Sequence, residues 1–134
     1  MIKLTLALIV GSAVLLAVAS SGRSAQKVEN PNLGKIRHVV LLKFKDSATK
    51  EQVKVVEDAF AGLQSQIPQI RDVEWGTDIS PEGLQQGFTH CFFVTFDDEK
   101  ARDEYLPHPA HKAFVEVLKP VLDKVLVIDY KARR

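Results

Sequence analysis

Ile36-Arg37-His38-Val39-Val40-Leu41-Leu42-Lys43-Phe44-Lys45 is the stretch that decides the fold. Alternation sorts Ile36, His38, Val40, Leu42 and Phe44 onto one face of a strand and Val39 and Leu41 onto the other. Both faces are apolar at the centre, so the pattern predicts a sheet that is covered on both sides. The covers have to come from the rest of the chain.

The next segment supplies one of them. Thr49 and Gln52 have the spacing of a capping box, and Val53, Val56, Phe60, Leu63 and Ile67 follow at steps of three and four. This is the stripe of an amphipathic helix that runs to Pro68 and turns Lys50, Glu51, Lys54, Glu57 and Asp58 largely to water. Burying those five apolar side chains contributes roughly 1.5 to 3 kcal/mol each, before ordering entropy is subtracted. A second strand is predicted from Ile70 to Ile79, with Gly76 marking a bulge or a close approach. Ser80-Pro81-Glu82-Gly83 and Gly87 mark a loop. A third strand from Phe88 to Phe96 sets Phe88, His90, Phe92, Val94 and Phe96 opposite Thr89, Cys91, Phe93 and Thr95. Asp97 or Asp98 caps a short helix carrying Ala101 and Tyr105, which ends before Pro107. Another helix starts at Pro109, carries Phe114, Val117 and Leu118, and is stopped or kinked by Pro120. A last strand covers Leu126 to Tyr130.

This order is βαββαβ, an α+β ferredoxin-like layer with the helices on one face of an antiparallel sheet. The other face remains apolar, and the alternation is read as leaving His38 or His90 there among Val, Leu and Phe. A patch of that size predicts a homodimer that closes two sheets face to face.

The chemistry-bearing stretch is Tyr105-Leu106-Pro107-His108-Pro109-Ala110-His111-Lys112-Ala113-Phe114. Its prolines hold Leu106 and His108 extended, so a helix begins at Pro109, with His108 as its N-cap and His111 in its first turn. The positive end of a helix disfavours an imidazolium, which biases both rings towards the neutral, proton-accepting form. A neutral His beside a Tyr suits general-base chemistry. The same residues also suit a simpler role, capping and packing. The two-His spacing admits a metal, but no acidic or Cys partner lies close in sequence, so no metal and no cofactor are expected.

The chain has 134 residues, 18 basic against 17 acidic side chains, and 46% hydrophobic residues, which fits one small domain without the basic footprint of a nucleic-acid binder. Lys3, the apolar run from Leu4 to Val18, and Ala17-Val18-Ala19 before Ser20 together match a secretory signal peptide over residues 1–19. A retained N-terminal membrane anchor is the alternative; the run is short for a span of about 20 residues. Once the signal is cleaved, no membrane association is expected, and residues 20–34 read as a flexible linker. The domain then covers residues 35–132. Cys91 is single, and its strand setting makes it a small hydrophobe rather than a nucleophile.

The stretches at 36–45, Trp75-Gly76-Thr77-Asp78, Gly87-Phe88-Thr89-His90, and Tyr105 with His108-Pro109-Ala110-His111 together resemble the stress-responsive A/B barrel domain family, a branch of the dimeric α/β barrel proteins. The resemblance covers nearly all of residues 36–132. It implies a homodimer with a cavity between sheet and helices, and it implies that His38 and His90 line that cavity and bind a small, partly apolar molecule. A plant enzyme of the family closes a polyketide ring by aldol condensation. By that resemblance His111 would be the general base and Tyr105 would hold the substrate carbonyl. Members without known activity leave a structural stress protein as a further alternative.

Overall fold

The computed structural model describes residues 30–133; the expected signal peptide and the linker as far as residue 29 lie outside the described residues. The elements are β1 (Ile36–Phe44), α1 (Lys50–Ala61), α2 (Leu63–Gln66), β2 (Ile70–Thr77), β3 (His90–Phe96), α3 (Glu99–Tyr105), α4 (Pro109–Leu118) and β4 (Leu122–Lys131). They form one four-stranded sheet in the order β2-β3-β1-β4, with every pair antiparallel. This is the ferredoxin-like α+β fold expected from the sequence. Among the described residues no helix is long and apolar enough to cross a membrane.

The core lies between the helices and one face of the sheet. Val56, Phe60, Leu63 and Ile67 are buried against Leu42, Phe92, Val94 and Phe96, and the Phe60 ring stacks on Phe92 with centroids 4.0 Å apart. The α1 start is held by both halves of the Thr49–Gln52 capping box. The expected single helix divides at Gly62. Its carbonyl accepts from Ser65 Oγ at 2.8 Å and from Gln66 Nε2 at 3.0 Å, side-chain bonds that compete with the regular helical ladder.

Other boundaries move for local reasons. The bulge expected at Gly76 falls near Arg71 instead, because Ile70 pairs with Phe96 and Asp72 with Thr95, while Gly76 keeps register with Cys91. β3 begins at His90 rather than Phe88, since Gln86 and Gly87 both take positive φ and the Phe88 amide turns back to Gln85. β4 starts earlier than its apolar run, at Leu122, which pairs with Phe44 across a register shift. At the N-terminal end, residues 31–34 form a turn rather than a free linker: Gly34 N donates to Ala132 O at 3.0 Å, and Ala132 N to Lys35 O at 2.8 Å.

The register corrects one face assignment. His38 pairs with Val94 and Asp129, and His90 with Leu42 and Thr77, which puts both imidazoles on the helix-covered face. They are buried, at 6% and 8% exposure. The uncovered face carries Val39, Leu41 and Phe93, with Leu126, Ile128 and Tyr130 exposed on the edge strand β4. Alternation had separated the two faces correctly; it could not say which one the helices take.

Candidate functional site

Between α4 and the sheet lies a cavity of about 290 Å³. Val40, Phe60, Phe92, Phe114, Leu118 and Val127 form much of its apolar wall, and His38, Tyr105 and His111 supply its polar atoms. Each of the three comes from a different element. His38 points from β1, Tyr105 ends α3, and His111 stands in the first turn of α4.

The turn between α3 and α4 sets the last two. Asp98 caps α3 through the Ala101 amide at 2.8 Å. His108 caps α4 as expected, its Nδ1 accepting from Ala110 N at 3.2 Å. Pro109 then opens the helix, its missing N–H falling where no helical partner exists. His111 follows one residue after Ala110, and its Nδ1 donates to the Leu106 carbonyl at 2.9 Å. A carbonyl only accepts, so Nδ1 carries the proton and Nε2 keeps the lone pair of the neutral ring.

Tyr105 stands between the two imidazoles. Its ring centroid is 4.3 Å from that of His111 and 5.8 Å from that of His38, and Phe96 packs beside it at 5.0 Å. Burial pushes the phenol pKa well above its usual value, so the hydroxyl stays protonated. Among the described residues it has no hydrogen-bond partner, yet only Gln69 Oε1 is both fully buried and unpaired there. Tyr105 lines the cavity, and its hydroxyl is not fully sealed from solvent. Burial also holds the His111 pKa below its usual 6.5, assisted by the charges of His38 and His108 and opposed by the bond to Leu106.

Behind His38 stands a residue that sequence reasoning missed. His38 Nδ1 donates to Asp129 Oδ1 at 2.6 Å, and Arg102 of α3 binds the other carboxylate oxygen. The carboxylate fixes the orientation of the ring and holds the proton on Nδ1, so Nε2 is the nitrogen turned away from Asp129. Desolvation pushes the Asp129 pKa up, but the hydrogen bonds from His38 and Arg102 outweigh it and hold the group below 3.8. The available signal was a single carboxylate within the apolar run Val125-Leu126-Val127-Ile128-Asp129-Tyr130. Its partner lies 91 residues away in the chain.

His90 is not brought to this cavity. It lines a separate recess of about 320 Å³ with Thr77, Asp78, Phe88, Thr89 and Cys91. Both of its nitrogens are engaged, Nε2 donating to Glu57 Oε1 at 3.1 Å and Nδ1 facing Thr89 Oγ1 at 2.9 Å. Trp75 lies parallel to the ring at 6.3 Å. Cys91 is half-buried there, and burial followed by the Glu74 charge raises its pKa, the reverse of an activated thiolate. Among the described residues no three His, Cys, Asp or Glu side chains are grouped to hold a metal ion.

The family model for the stress responsive A/B barrel domain matches residues 36–132. The stress-response A/B barrel domain-containing protein HS1 of Arabidopsis thaliana is 43% identical over 98 residues, 73% of this chain and 90% of that protein. Olivetolic acid cyclase of Cannabis sativa is 34% identical over 99 residues, 74% of this chain and 98% of the cyclase. Among solved structures, a dimeric protein of unknown function and ferredoxin-like fold from Bacteroides fragilis superposes with a TM-score of 0.62 at 26% identity, covering 74% of this chain and 97% of that one.

Proposed function

Because the chain belongs to the stress-responsive A/B barrel domain family, we propose that it is an exported homodimer whose cavity binds a small, partly apolar molecule beside Tyr105 and His111. The observation that carries this reading is the phenol held between two imidazoles at the end of an otherwise apolar chamber. Pockets of this kind use a few placed polar groups for orientation and apolar walls for affinity. Purified mature protein is titrated with β-dicarbonyl and aryl ketone ligands while the resonances of Phe92, Tyr105 and Phe114 are followed. Saturable shifts in wild type that vanish in His111→Ala support the reading; a panel that leaves all three unmoved sinks it.

The uncovered sheet face supports the dimer. Leu126, Ile128 and Tyr130 are each exposed by more than two-fifths, an apolar surface that a second copy would cover. The dimeric relative from Bacteroides fragilis has the same fold. A single species of monomer mass in sedimentation at micromolar concentration overturns this part. Export rests on the pattern of residues 1–19, and the mass of the mature protein tests it, with a start near Ser20 expected.

A second reading, a polyketide cyclase-like lyase, is favoured by one further feature: burial disfavours the His111 imidazolium, and its Nε2 has no partner among the described residues. In this reading Nε2 takes the α-proton of a β-dicarbonyl and the Tyr105 hydroxyl donates to the enolate oxygen that forms. A placed base contributes roughly 10² to 10⁴ in rate, and the likeness to a plant cyclase supports the assignment. Product formed equally fast with and without the protein would remove it. A purely structural role suits His90, whose two nitrogens are both engaged, better than it suits His111.

A further inference from the structure

His90 stands outside the cavity beside α4, and its two hydrogen bonds form a chain of their own. Nε2 meets Glu57 Oε1 of α1 at 3.1 Å, and Nδ1 meets the Thr89 hydroxyl at 2.9 Å. A carboxylate only accepts, so Nε2 carries a proton; in the neutral ring Nδ1 then holds the lone pair and accepts from the Thr89 O–H. A hydroxyl, a base within its reach and a third group that orients the base are the parts of an activated nucleophile.

The surroundings hold each part. The buried imidazole has the Phe44 ring edge-on at 5.0 Å and Trp75 parallel to it. Thr89 is pinned from two sides, its amide donating to the Leu42 carbonyl at 3.0 Å and its carbonyl accepting from Asp78 N at 2.9 Å. It is exposed and lines the recess of about 320 Å³, where Leu41, Gly76 and Phe88 supply an apolar side and Gln85 a side-chain amide. Leu41, Gly76 and Cys91 are register partners on the uncovered face, so a second copy seated there would wall the recess on that side. The charged neighbours of the chain are Lys54, on the same helix as Glu57, and Asp78, after β2.

We propose that this recess is a second site, an acyl-transfer centre that acts on esters or thioesters with a short apolar acyl chain. Thr89 is its nucleophile, His90 the base, and Glu57 the residue that positions the base. Thr89 Oγ1 attacks the acyl carbon while its proton passes to His90 Nδ1. The tetrahedral intermediate expels the alcohol or thiol, which leaves with that proton. Water then gives a proton to the same nitrogen and adds to the acyl-threonine; the acid is released as Oγ1 takes the proton back. The site is independent of the cavity beside α4.

The mature protein, as it assembles, is mixed with p-nitrophenyl acetate and p-nitrophenyl butyrate. Expected are an acyl group on Thr89 in the peptide mass spectrum of acid-quenched protein and a turnover that rises between about pH 5 and pH 8, where an imidazole gives up its proton. Thr89→Val should lower kcat/KM by at least about a hundredfold, and Thr89→Ser, which keeps a hydroxyl, should keep the adduct at that position. Glu57→Gln should lower kcat with KM little changed. Equal turnover by wild type and Thr89→Val, acyl groups found only elsewhere, or no turnover of either ester would each overturn the proposal and leave the cavity reading standing.

Gly76→Val tests the place. Nothing lies within 4 Å of where its Cβ would stand, so the new side chain enters the recess without touching the three residues. KM for the butyrate should rise severalfold with the circular dichroism unchanged; an unchanged KM would put the ester outside the recess, and the proposal would be wrong.

Discussion

The Tyr105 ring lies 4.3 Å from that of His111 and is tilted 39° to it. The contact spans the turn between α3 and α4, so both the phenol and the base depend on how that turn is held. His108 caps the second helix and the Leu106 carbonyl anchors the His111 ring. A ligand between Tyr105 and His111 would meet one donor and one acceptor set by the backbone.

Tyr105→Phe separates packing from chemistry. The ring contacts with Phe96, His38 and His111 survive, and the lost hydroxyl has no partner among the described residues. Stability is expected to change by less than about 1 kcal/mol, whereas affinity for a ketone falls roughly five- to tenfold with the lost hydrogen bond. Thermal melting and calorimetry on the same preparation check both.

His111 gives stability a slope with pH. Its folded pKa lies below 6.5, so above that pH the ring is neutral in both folded and unfolded chains and contributes no slope. As pH falls below 6.5 the unfolded chain binds the proton first, and stability declines until the folded ring protonates as well. His111→Gln should flatten this part of the curve measured by urea unfolding between pH 7 and pH 5, the approximate window for an imidazole. An identical slope in the variant would assign the effect to another group.

Asp129→Asn removes the charge that fixes His38 and Arg102. A loss of about 1 to 3 kcal/mol is expected from bonds to a charged group, at the low end because the carboxylate is 28% exposed. The wild-type contribution is present above 3.8, the ordinary carboxylate value, and is lost as pH falls through the lower folded pKa. Ligand affinity should fall further than stability alone explains, because the amide can also turn its NH₂ to His38 and release the tautomer. Nitrogen chemical shifts of His38 report the tautomer directly.

Ile128→Glu tests the uncovered face. Ile128 is 53% exposed and pairs with Val39 on the sheet face away from the helices. The far-UV circular dichroism should stay unchanged while the sedimenting mass falls to that of one chain, since a carboxylate cannot be buried unpaired between two apolar sheets. A variant that remains dimeric places the interface elsewhere.

The fold was legible where local chemistry and tertiary packing agree. The Thr49–Gln52 box and the Pro109 start stand where their spacing puts them, and of the two candidate caps Asp97 and Asp98 it is Asp98 that holds α3. His38 and His90 show the limit. Both were assigned to the same kind of face, yet pairing of His38 with Val94 and of His90 with Leu42 sets them four positions apart along the sheet, about 13 Å. Alternation reports the face and not the position along it. For the same reason Asp129 was invisible: only the β1–β4 register brings it to His38. The division at Gly62 rests on side-chain bonds to one carbonyl, which no hydrophobic period records.

The paired hydrogen bonds of Gly34, Lys35 and Ala132 bring the beginning and the end of the domain side by side. The domain is therefore almost a closed ring, open at one seam. A short bridge across that seam, with new ends cut between Ser80 and Gln85 in the exposed connection from β2 to β3, would preserve every strand pairing while reversing which half of the chain leaves the ribosome first.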